Sequence, residues 1–341
     1  MDGPSAHIIN SERIFASFDG SRDDPALSGL CFDLFSQQKI SWPLLRDAYA
    51  AQDSAQIREI SANGFSLKLQ FNPRRIISSA AAVDPASISR RSCFLCVKNL
   101  PEAQKGILYR QTYLILCNPA PIFPQHYVVS NRRHFPQSIE NNIAAFLLLA
   151  KDFGPGLTVF YNGPRCGASA PDHLHFHVVP SDMMPIEKEI REDRNKILIR
   201  RLEGASILTL MSLSRPIIIV EGKELRSVET ALLKAVTAMQ ETLPASDEPM
   251  MNLLCAYDGT QWRVLIIPRR KHRPEAYYRE GDERILISPG MVDMGGLVIT
   301  PVEKDFNAID AEQIGNIFEE VSMDEDTFTR VVAVLSSRPG P

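Results

Sequence analysis

The stretch Asp172-His173-Leu174-His175-Phe176-His177-Val178-Val179-Pro180 is the most informative part of the chain. Histidines alternate with apolar residues here, which predicts a strand with three imidazoles on one face and its apolar side chains in a core. A neutral imidazole can attack phosphorus, and a neighbouring imidazolium or amide can stabilise the phosphoryl oxygens. The row therefore favours phosphate chemistry, and the alternative is a purely structural or solvated histidine cluster.

A loop of small residues leads directly into this strand. It contains Asn162, Gly163, Arg165, Gly167 and Ser169. Backbone N–H groups in such a loop can come close to a phosphate, and the arginine adds one cation. An ordinary tight connection would have the same composition, but the position of the loop beside the histidines favours phosphate binding.

A pair of cysteines, Cys93 and Cys96, has the spacing of two ligands to a tetrahedral zinc ion. A redox pair is the alternative, but no strand–helix frame of the kind found in thioredoxin-like sites surrounds it. A complete zinc site needs two more nitrogen or sulfur ligands. His134 and His173 are the leading candidates, because each lies at the end of a strand in the same predicted sheet.

The hydrophobic pattern around these motifs predicts a sheet with packed helices. The segments 112–117, 127–130 and 157–161 read as strands, and a helix is expected to begin after Ser138 as its N-cap. Another of the chain's histidines, His126, is expected to cap a strand or to face solvent.

The second half of the chain shows a similar order of elements. The segment 217–220 reads as a strand, and an apolar stripe from Val228 to Leu243 reads as a helix. Residues 127–134 match residues 265–272, and the pair 116–117 recurs as 254–255 at the same separation, which suggests a duplicated unit. Nothing at that separation repeats the histidine row, so the second copy is expected to lack the chemistry.

Length and composition set the outer limits. The chain has 341 residues, which is more than one hydrophobic core usually organises, so two lobes are expected. Its 37 basic and 41 acidic residues argue against a partner held by bulk charge such as nucleic acid. No apolar run is long enough to cross a membrane, and the first residues lack a secretory pattern. Six cysteines are too few for a disulfide framework, so reduced thiols in a cytoplasmic protein are expected.

Together these motifs resemble the histidine-triad superfamily, and within it the nucleotidyltransferase and phosphorylase branch that includes galactose-1-phosphate uridylyltransferase, diadenosine tetraphosphate phosphorylase and relatives of the nucleoside-diphosphate-sugar phosphorylases. The resemblance implies an α+β fold of two tandem histidine-triad-like half-barrels, each an antiparallel sheet with helices, the second copy degenerate. It divides the chain into a helical extension (1–62), a catalytic domain (63–200) and a second domain (201–341). Related enzymes pair, so a homodimer is compatible with it.

The resemblance also implies roles for particular residues. The zinc ligands would be Cys93, Cys96, His134 and His173, and His175 would be the nucleophile that forms a covalent nucleotidyl-histidine. The substrate would be a nucleoside-diphosphate sugar or a dinucleoside polyphosphate, with inorganic phosphate or a sugar 1-phosphate as acceptor. The residues that would contact the substrate are Asn162 and Ser169 on the phosphate side, and Asn118 with the turn Asn72 to Arg74 on the nucleotide side.

One departure from the family pattern bears on the acceptor. Members of the transferase branch usually have glutamine at the third position of the row, where this chain has His177. A third histidine is typical of the hydrolytic histidine-triad proteins, so hydrolysis stays open as an alternative. A catalytically silent, zinc-stabilised nucleotide-binding module is the other.

Overall fold

The computed structural model describes residues 11–62, 65–192, 196–210, 215–243 and 248–337. The strands, numbered along the chain, are β1 (Ile14–Phe18), β2 (Gln56–Ala62), β3 (Phe65–Phe71), β4 (Gly106–Tyr109), β5 (Tyr113–Cys117), β6 (Tyr127–Asn131), β7 (Leu157–Asn162), β8 (His175–Pro180), β9 (Lys196–Leu202), β10 (Ala205–Leu210), β11 (Ile218–Gly222), β12 (Met251–Tyr257), β13 (Trp262–Pro268) and β14 (Leu297–Thr300).

The helices, numbered in the same way, are α1 (Leu27–Ser41), α2 (Pro43–Asp53), α3 (Ile76–Ser79), α4 (Pro85–Arg90), α5 (Ile143–Phe153), α6 (Pro185–Glu189), α7 (Leu225–Thr242), α8 (Met291–Met294), α9 (Glu303–Ala308), α10 (Ala311–Val321) and α11 (Glu325–Ser337). Strands and helices thus form the mixed α+β fold that the sequence predicts.

Most strands join one large sheet with the order β1-β4-β5-β6-β8-β7-β12-β13-β11-β10-β9. Apart from β1 at one edge, the other ten strands of this sheet divide into two halves with the same internal order. In the first half, β4-β5-β6-β8-β7 runs towards the centre, and in the second half β9-β10-β11-β13-β12 does the same from the other edge. The halves meet where β7 pairs with β12 in antiparallel fashion. This arrangement confirms the predicted tandem half-barrels.

The strand order corrects the sequence match on which the duplication was inferred. The matched segments 127–134 and 265–272 begin in β6 and β13, which hold different places in their halves. The place of β6 is taken by β11, and that of β8 by β13. The duplication is present, but the matched residues are not equivalent, because short apolar strands resemble one another whatever their place in the sheet.

The two faces of the large sheet carry separate hydrophobic cores. Helices α1, α2, α5, α7 and α11 cover one face, where Phe176 and Val178 of β8, and Leu174 just before it, enter the core as predicted. The other face packs against α6, α8, α9, α10 and a small sheet of order β14-β3-β2. Because β2 and β3 come from the beginning of the chain and β14 from its end, this small sheet ties the two ends together.

The first helix of the repeat begins later than predicted. Helix α5 begins at Ile143 after Asn142, and not after Ser138. The Ser138 hydroxyl donates a hydrogen bond to the Glu248 carboxylate, which also accepts from the Ile139 N–H and the Tyr161 hydroxyl. The long-range hydrogen bond to Glu248 thus occupies the Ser138 hydroxyl, which the local sequence pattern had assigned to the helix N-cap.

The N-terminal region contains the predicted helices, α1 and α2, together with strands β1 and β2. Strand β1 extends the large sheet beside β4, so this region packs as part of the main body. The domain boundaries at 62 and 200 stay predictions. In the segments described here, no helix is both long and apolar enough to cross a lipid bilayer. All six cysteines are free thiols.

Candidate active site and metal centre

Four side chains predicted as metal ligands converge at one end of β6 and β8. The ligand atoms of Cys93, Cys96, His134 and His173 all lie within 4.8 Å of one another. The Nδ1 of His173 is 3.2 Å from the Cys93 sulfur, and that of His134 is 3.3 Å from the Cys96 sulfur. A tetrahedral zinc ion with bonds of about 2.0–2.3 Å separates its ligand atoms by roughly 3.3–3.8 Å. The cluster therefore has the donor set and the dimensions to hold a metal ion.

The surroundings of His173 select the tautomer that a metal ligand needs. Its Nε2 lies 2.7 Å from the carbonyl oxygen of Asn131, and a carbonyl oxygen can only accept. Nε2 therefore carries the proton, and Nδ1 turns its lone pair towards the cysteines. Such a partner on the second ring nitrogen orients metal-bound histidines in general.

His175 is oriented by the backbone of the residue two positions before it. Its Nδ1 lies 2.7 Å from the carbonyl oxygen of His173, so Nδ1 donates and Nε2 is left without a proton. Burial lowers the pKa of His175 to about 4. The imidazole is thus neutral near pH 7 and has one free lone pair, which is what a nucleophile towards phosphorus requires.

A glutamine side chain completes the support of this residue. The Gln137 amide is almost fully buried between the end of β7 and the start of β8. Its oxygen accepts from the N–H of His175, and its nitrogen donates to the carbonyl oxygens of Asn162 and His175. The amide replaces backbone pairing at a point where the two strands separate.

His175 and His177 line a cavity of about 600 Å³ that both halves of the chain enclose. Ser78 of α3 and Ala82 in the segment after it form part of the wall, and Phe94 from the cysteine turn forms another part. Residues 288 and 290–293 of the second half supply the opposite wall. The cavity is therefore large enough for a nucleotide and lies directly beside the candidate nucleophile.

A chain of buried hydrogen bonds from the second half orients Asn162. Its amide oxygen accepts from the Asn252 side chain at 2.8 Å and from the Met291 N–H at 2.7 Å. Asn252 in turn accepts from Arg269, a guanidinium that is only 1% exposed. Because the oxygen of Asn162 is occupied, its –NH₂ group remains to donate to a ligand in the cavity.

Gly167 is required where the loop of the first half meets the loop of the second. Its φ of +92° lies in the region that favours glycine, and a Cβ there would come within 2.5 Å of the Gly290 Cα. The close approach of these two backbones closes the cavity beside Ser169.

The structure places the predicted site residues in two groups. The cavity lining includes His175, His177, Asn118, Asn162, Gly167 and Ser169. Asn72, Arg74, Gly163 and Arg165 are outside it. Arg74 and Arg165 are exposed, whereas Asn72 is buried and donates to the carbonyl oxygen of Pro121 in the loop that forms one wall.

Two arginines in the cavity wall escaped the sequence analysis. Arg75 lies one position after the predicted Arg74, and Arg91 lies just before the cysteine pair. The Nε of Arg75 and one terminal nitrogen of Arg91 are buried and have no hydrogen-bond partner among the described residues. Burial lowers the pKa of Arg75 to about 10, so it remains a cation at neutral pH. Each of these arginines has another arginine beside it in the sequence, and neither belongs to a motif that would have singled it out.

Of the two alternatives expected for His126, a position facing solvent is wrong, whereas the residue does lie directly before β6. The residue is 1% exposed, and its Nε2 lies 3.0 Å from the Nδ1 of His177. Burial lowers the pKa of His126 to about 3 and that of His177 well below its ordinary value. The ring of His177 also stacks on Phe160 with the centroids 4.7 Å apart. Both imidazoles are therefore neutral and fixed in place beside the cavity.

Comparisons with known proteins agree with this fold. Residues 34–180 match the family described as Domain of unknown function (DUF4922), and residues 186–338 match the family described as GDPGP1-like, C-terminal domain. No curated protein sequence matches the chain.

Among solved structures, the chain resembles yeast Ap4A phosphorylase Apa2 at 13% identity. The match covers 82% of this chain and 93% of that one, with a TM-score of 0.53. The same enzyme in complex with AMP matches at 13% identity, 85% and 96% coverage and a TM-score of 0.53. Its complex with Ap4A matches at 13% identity, 84% and 97% coverage and a TM-score of 0.52.

The chain therefore shares the fold of the yeast phosphorylase, and its second half matches the family described as GDPGP1-like, C-terminal domain.

Proposed function

We propose that this chain is a nucleotidyltransferase or phosphorylase that moves a nucleoside monophosphate group through a covalent adduct on His175. The observation that carries the proposal is the 2.7 Å hydrogen bond from His175 Nδ1 to the His173 carbonyl oxygen. This bond leaves the Nε2 lone pair as the reactive atom in a cavity of nucleotide size.

The reaction proceeds in two displacements at the same phosphorus atom. His175 Nε2 attacks the α-phosphorus, a P–N bond forms, and the bridging P–O bond breaks with its electron pair on the departing phosphate ester. An oxygen of the acceptor phosphate then attacks, a P–O bond forms, and the P–N bond returns its electron pair to Nε2. The departing phosphate ester and the acceptor phosphate both have a second pKa near 6, so both are anions at neutral pH. Neither displacement therefore requires a proton to be transferred first.

The charge in the cavity suits a donor with two or more phosphoryl groups. Arg75 and Arg91 both line the wall, and guanidinium groups suit phosphate oxygens, although Arg91 is also paired with Asp172 at 2.7 Å. Asn162 and Ser169 add neutral donors. We therefore propose a nucleoside-diphosphate sugar or a dinucleoside polyphosphate as donor, and inorganic phosphate or a sugar 1-phosphate as acceptor. The similar yeast enzyme is named for Ap4A and has been solved with AMP and Ap4A.

Zinc is the metal we propose for the cluster, held by Cys93, Cys96, His134 and His173. Two thiolates and two imidazoles at these distances are a typical closed structural zinc set. A bound ion would anchor the strand end, and the His173 carbonyl that accepts from His175 would be fixed with it. No reaction step needs the ion itself.

Adduct formation tests the proposal directly. The protein is incubated with α-³²P-labelled nucleoside-diphosphate sugars and with labelled dinucleoside polyphosphates, then denatured. A phosphohistidine-type adduct that is labile in acid and stable in base is expected. His175→Ala should abolish the adduct, and His272→Ala, which lies outside the cavity, is the matched control that should keep it. A folded wild-type protein that forms no adduct across the panel contradicts the proposal.

Hydrolysis is the second candidate function, and the observation that favours it is the third histidine of the row. Supplying phosphate and a sugar 1-phosphate together and identifying the products distinguishes the two acceptors from water. A free nucleoside monophosphate as the main product would make the chain a hydrolase. Nucleotide binding by calorimetry without any product would make it a zinc-stabilised binding module.

A further inference from the structure

His126 controls which nitrogen of His177 carries a proton. The two rings share one hydrogen bond between His126 Nε2 and His177 Nδ1, 3.0 Å apart, and one of the two nitrogens must donate. If His126 donates, His177 presents an N–H to the cavity; if His177 donates, it presents a lone pair. The first state provides a hydrogen-bond donor and the second a base, so the direction decides the chemistry.

The surroundings of His126 decide this direction. Its Nδ1 lies 3.4 Å from the N–H of Ile122, which can only donate. The Asn118 amide oxygen is already occupied by the Ala120 N–H at 2.9 Å, so its –NH₂ group turns to His126, where it lies 3.4 Å from Nδ1 and 3.3 Å from Nε2 and does not select between them. The Ile122 N–H lies against Nδ1 alone, which makes Nδ1 an acceptor. A neutral His126 then carries its proton on Nε2 and donates it to His177.

We propose that His126 is a positioning residue that holds His177 as the Nε2–H tautomer, so that the third histidine of the row donates a hydrogen bond to a phosphoryl oxygen as an amide would. The chain thereby reproduces the donor that glutamine supplies in the transferase pattern, with two imidazoles instead of one amide.

This inference rests on the proposed function and narrows its acceptor. In the Nε2–H tautomer, His177 has no lone pair in the cavity and cannot take a proton from water. Phosphate and sugar 1-phosphate need no such base, because they attack as anions. Burial supports this state, since it lowers the pKa of both rings and keeps them neutral.

A double-mutant cycle tests the positioning role. His126→Phe keeps the ring volume and removes the donor, and we expect the rate of adduct formation to fall about 10- to 100-fold, the usual loss for one donor to a reacting oxygen. His177→Gln replaces the imidazole by a donor that needs no tautomer. In that background, whatever its own rate, adding His126→Phe should change the rate less than about 2-fold. His126→Gln, which keeps one donor and one acceptor, should restore most of the activity.

A merely structural role gives a different result. If His126→Phe lowers the rate by the same factor in both backgrounds, His126 only supports packing and the proposal is overturned. Melting temperatures of all variants identify any that fail to fold. Product analysis of the His126→Phe protein adds a readout: a new share of hydrolysis is expected where His177 regains a lone pair.

A spectroscopic measurement tests the tautomer without activity. Long-range ¹H–¹⁵N correlations of the full chain, labelled at its seven histidines, distinguish protonated from bare ring nitrogens. In the wild type we expect His177 to have a bare Nδ1 and a protonated Nε2. In His126→Phe the donor to Nδ1 is lost, so the tautomer with a protonated Nδ1 and a bare Nε2 is also allowed. A protonated Nδ1 in the wild type overturns the inference even if the enzyme forms its adduct. Conversely, a wild type with the expected tautomer but no adduct removes the proposed function and leaves the tautomer assignment in place.

Discussion

Strands β8 and β13 hold equivalent places in the two halves of the large sheet, but they present different chemistry on the same face. β8 presents His175 and His177 to the cavity. β13 presents Leu265 and Ile267, which are buried in the core on that side. The face that lines the cavity in one half is thus packed with apolar side chains in the other, where α10 and the small sheet belong to the same core.

The second half still contributes to the site from a distance. Its loop 288–293 closes the cavity, and Asn252 with Arg269 orients Asn162 of the first half. The second half of the chain, although it lacks the histidine row, therefore contributes polar side chains where it meets the first half.

The largest expected effect separates the two strands. His175→Ala should lower the rate of adduct formation by about 10⁴-fold or more, because the nucleophile is lost. Ile267→Ala in β13 should instead lower the free energy of unfolding by about 2–5 kcal/mol through a cavity in the core. Single-turnover labelling and urea unfolding measure the two quantities. A large rate loss in folded Ile267→Ala would break the comparison.

Metal binding should distinguish the cysteines of the two halves. Cys96→Ser is expected to lose the metal and at least about 3 kcal/mol of stability, because binding energy at such a site is folding energy. Cys255→Ser, a buried thiol of the second half outside the cluster, is the matched control and should keep a full complement of zinc. Elemental analysis and thermal unfolding check both. Equal zinc content in the two variants would contradict the proposed four-ligand zinc site.

Acid should weaken the first half through His126. An unfolded histidine takes up a proton as the pH falls through about 6.5, but this one does so only near pH 3, so its contribution to stability is complete above pH 7 and declines below 6.5. From pH 7 to pH 5 the free energy of unfolding should fall by about 2 kcal/mol on its account. His126→Gln should remove that share of the pH dependence in urea unfolding. An unchanged slope would mean that His126 is not buried as a neutral ring.

The smallest expected effect tests the contact between the halves. Asn252→Ala removes the donor to Asn162 and should lower the rate of adduct formation about 10-fold, which corresponds to about 1.4 kcal/mol. It also leaves Arg269 without one partner, at a cost of about 1–3 kcal/mol in stability. Thr209→Val removes another buried hydrogen bond of the second half, far from the cavity, and should leave the rate unchanged. Equal rates of adduct formation in the two variants would mean that Asn252 does not contribute to the site and that the second half acts there only as a scaffold.

The clearest site residues of the sequence, the histidine row and the cysteine pair, belong to motifs whose spacing is itself chemical. The alternation of the histidine row and the two-residue gap between the cysteines are local patterns, so they can be recognised in the sequence alone. Gln137, Arg75 and His126 have no such spacing, and they became visible only through their partners 38, 45 and 51 residues away.

By itself the sequence determined the α+β class, the strand that carries His175 and His177 and the set of residues able to hold a metal, since these follow from side-chain period and ligand chemistry. The prediction that His173 belongs to the same strand is wrong, because β8 begins at His175 and His173 lies before it in the metal-ligand cluster. The tertiary structure decided the true register of the duplication and the tautomers of His173, His175 and His177. It also decided which loops close the cavity. Each tautomer depends on the donor or acceptor that lies opposite the ring: for His175 this is the carbonyl two residues before it, but for His173 and His177 it lies 42 and 51 residues away in the chain.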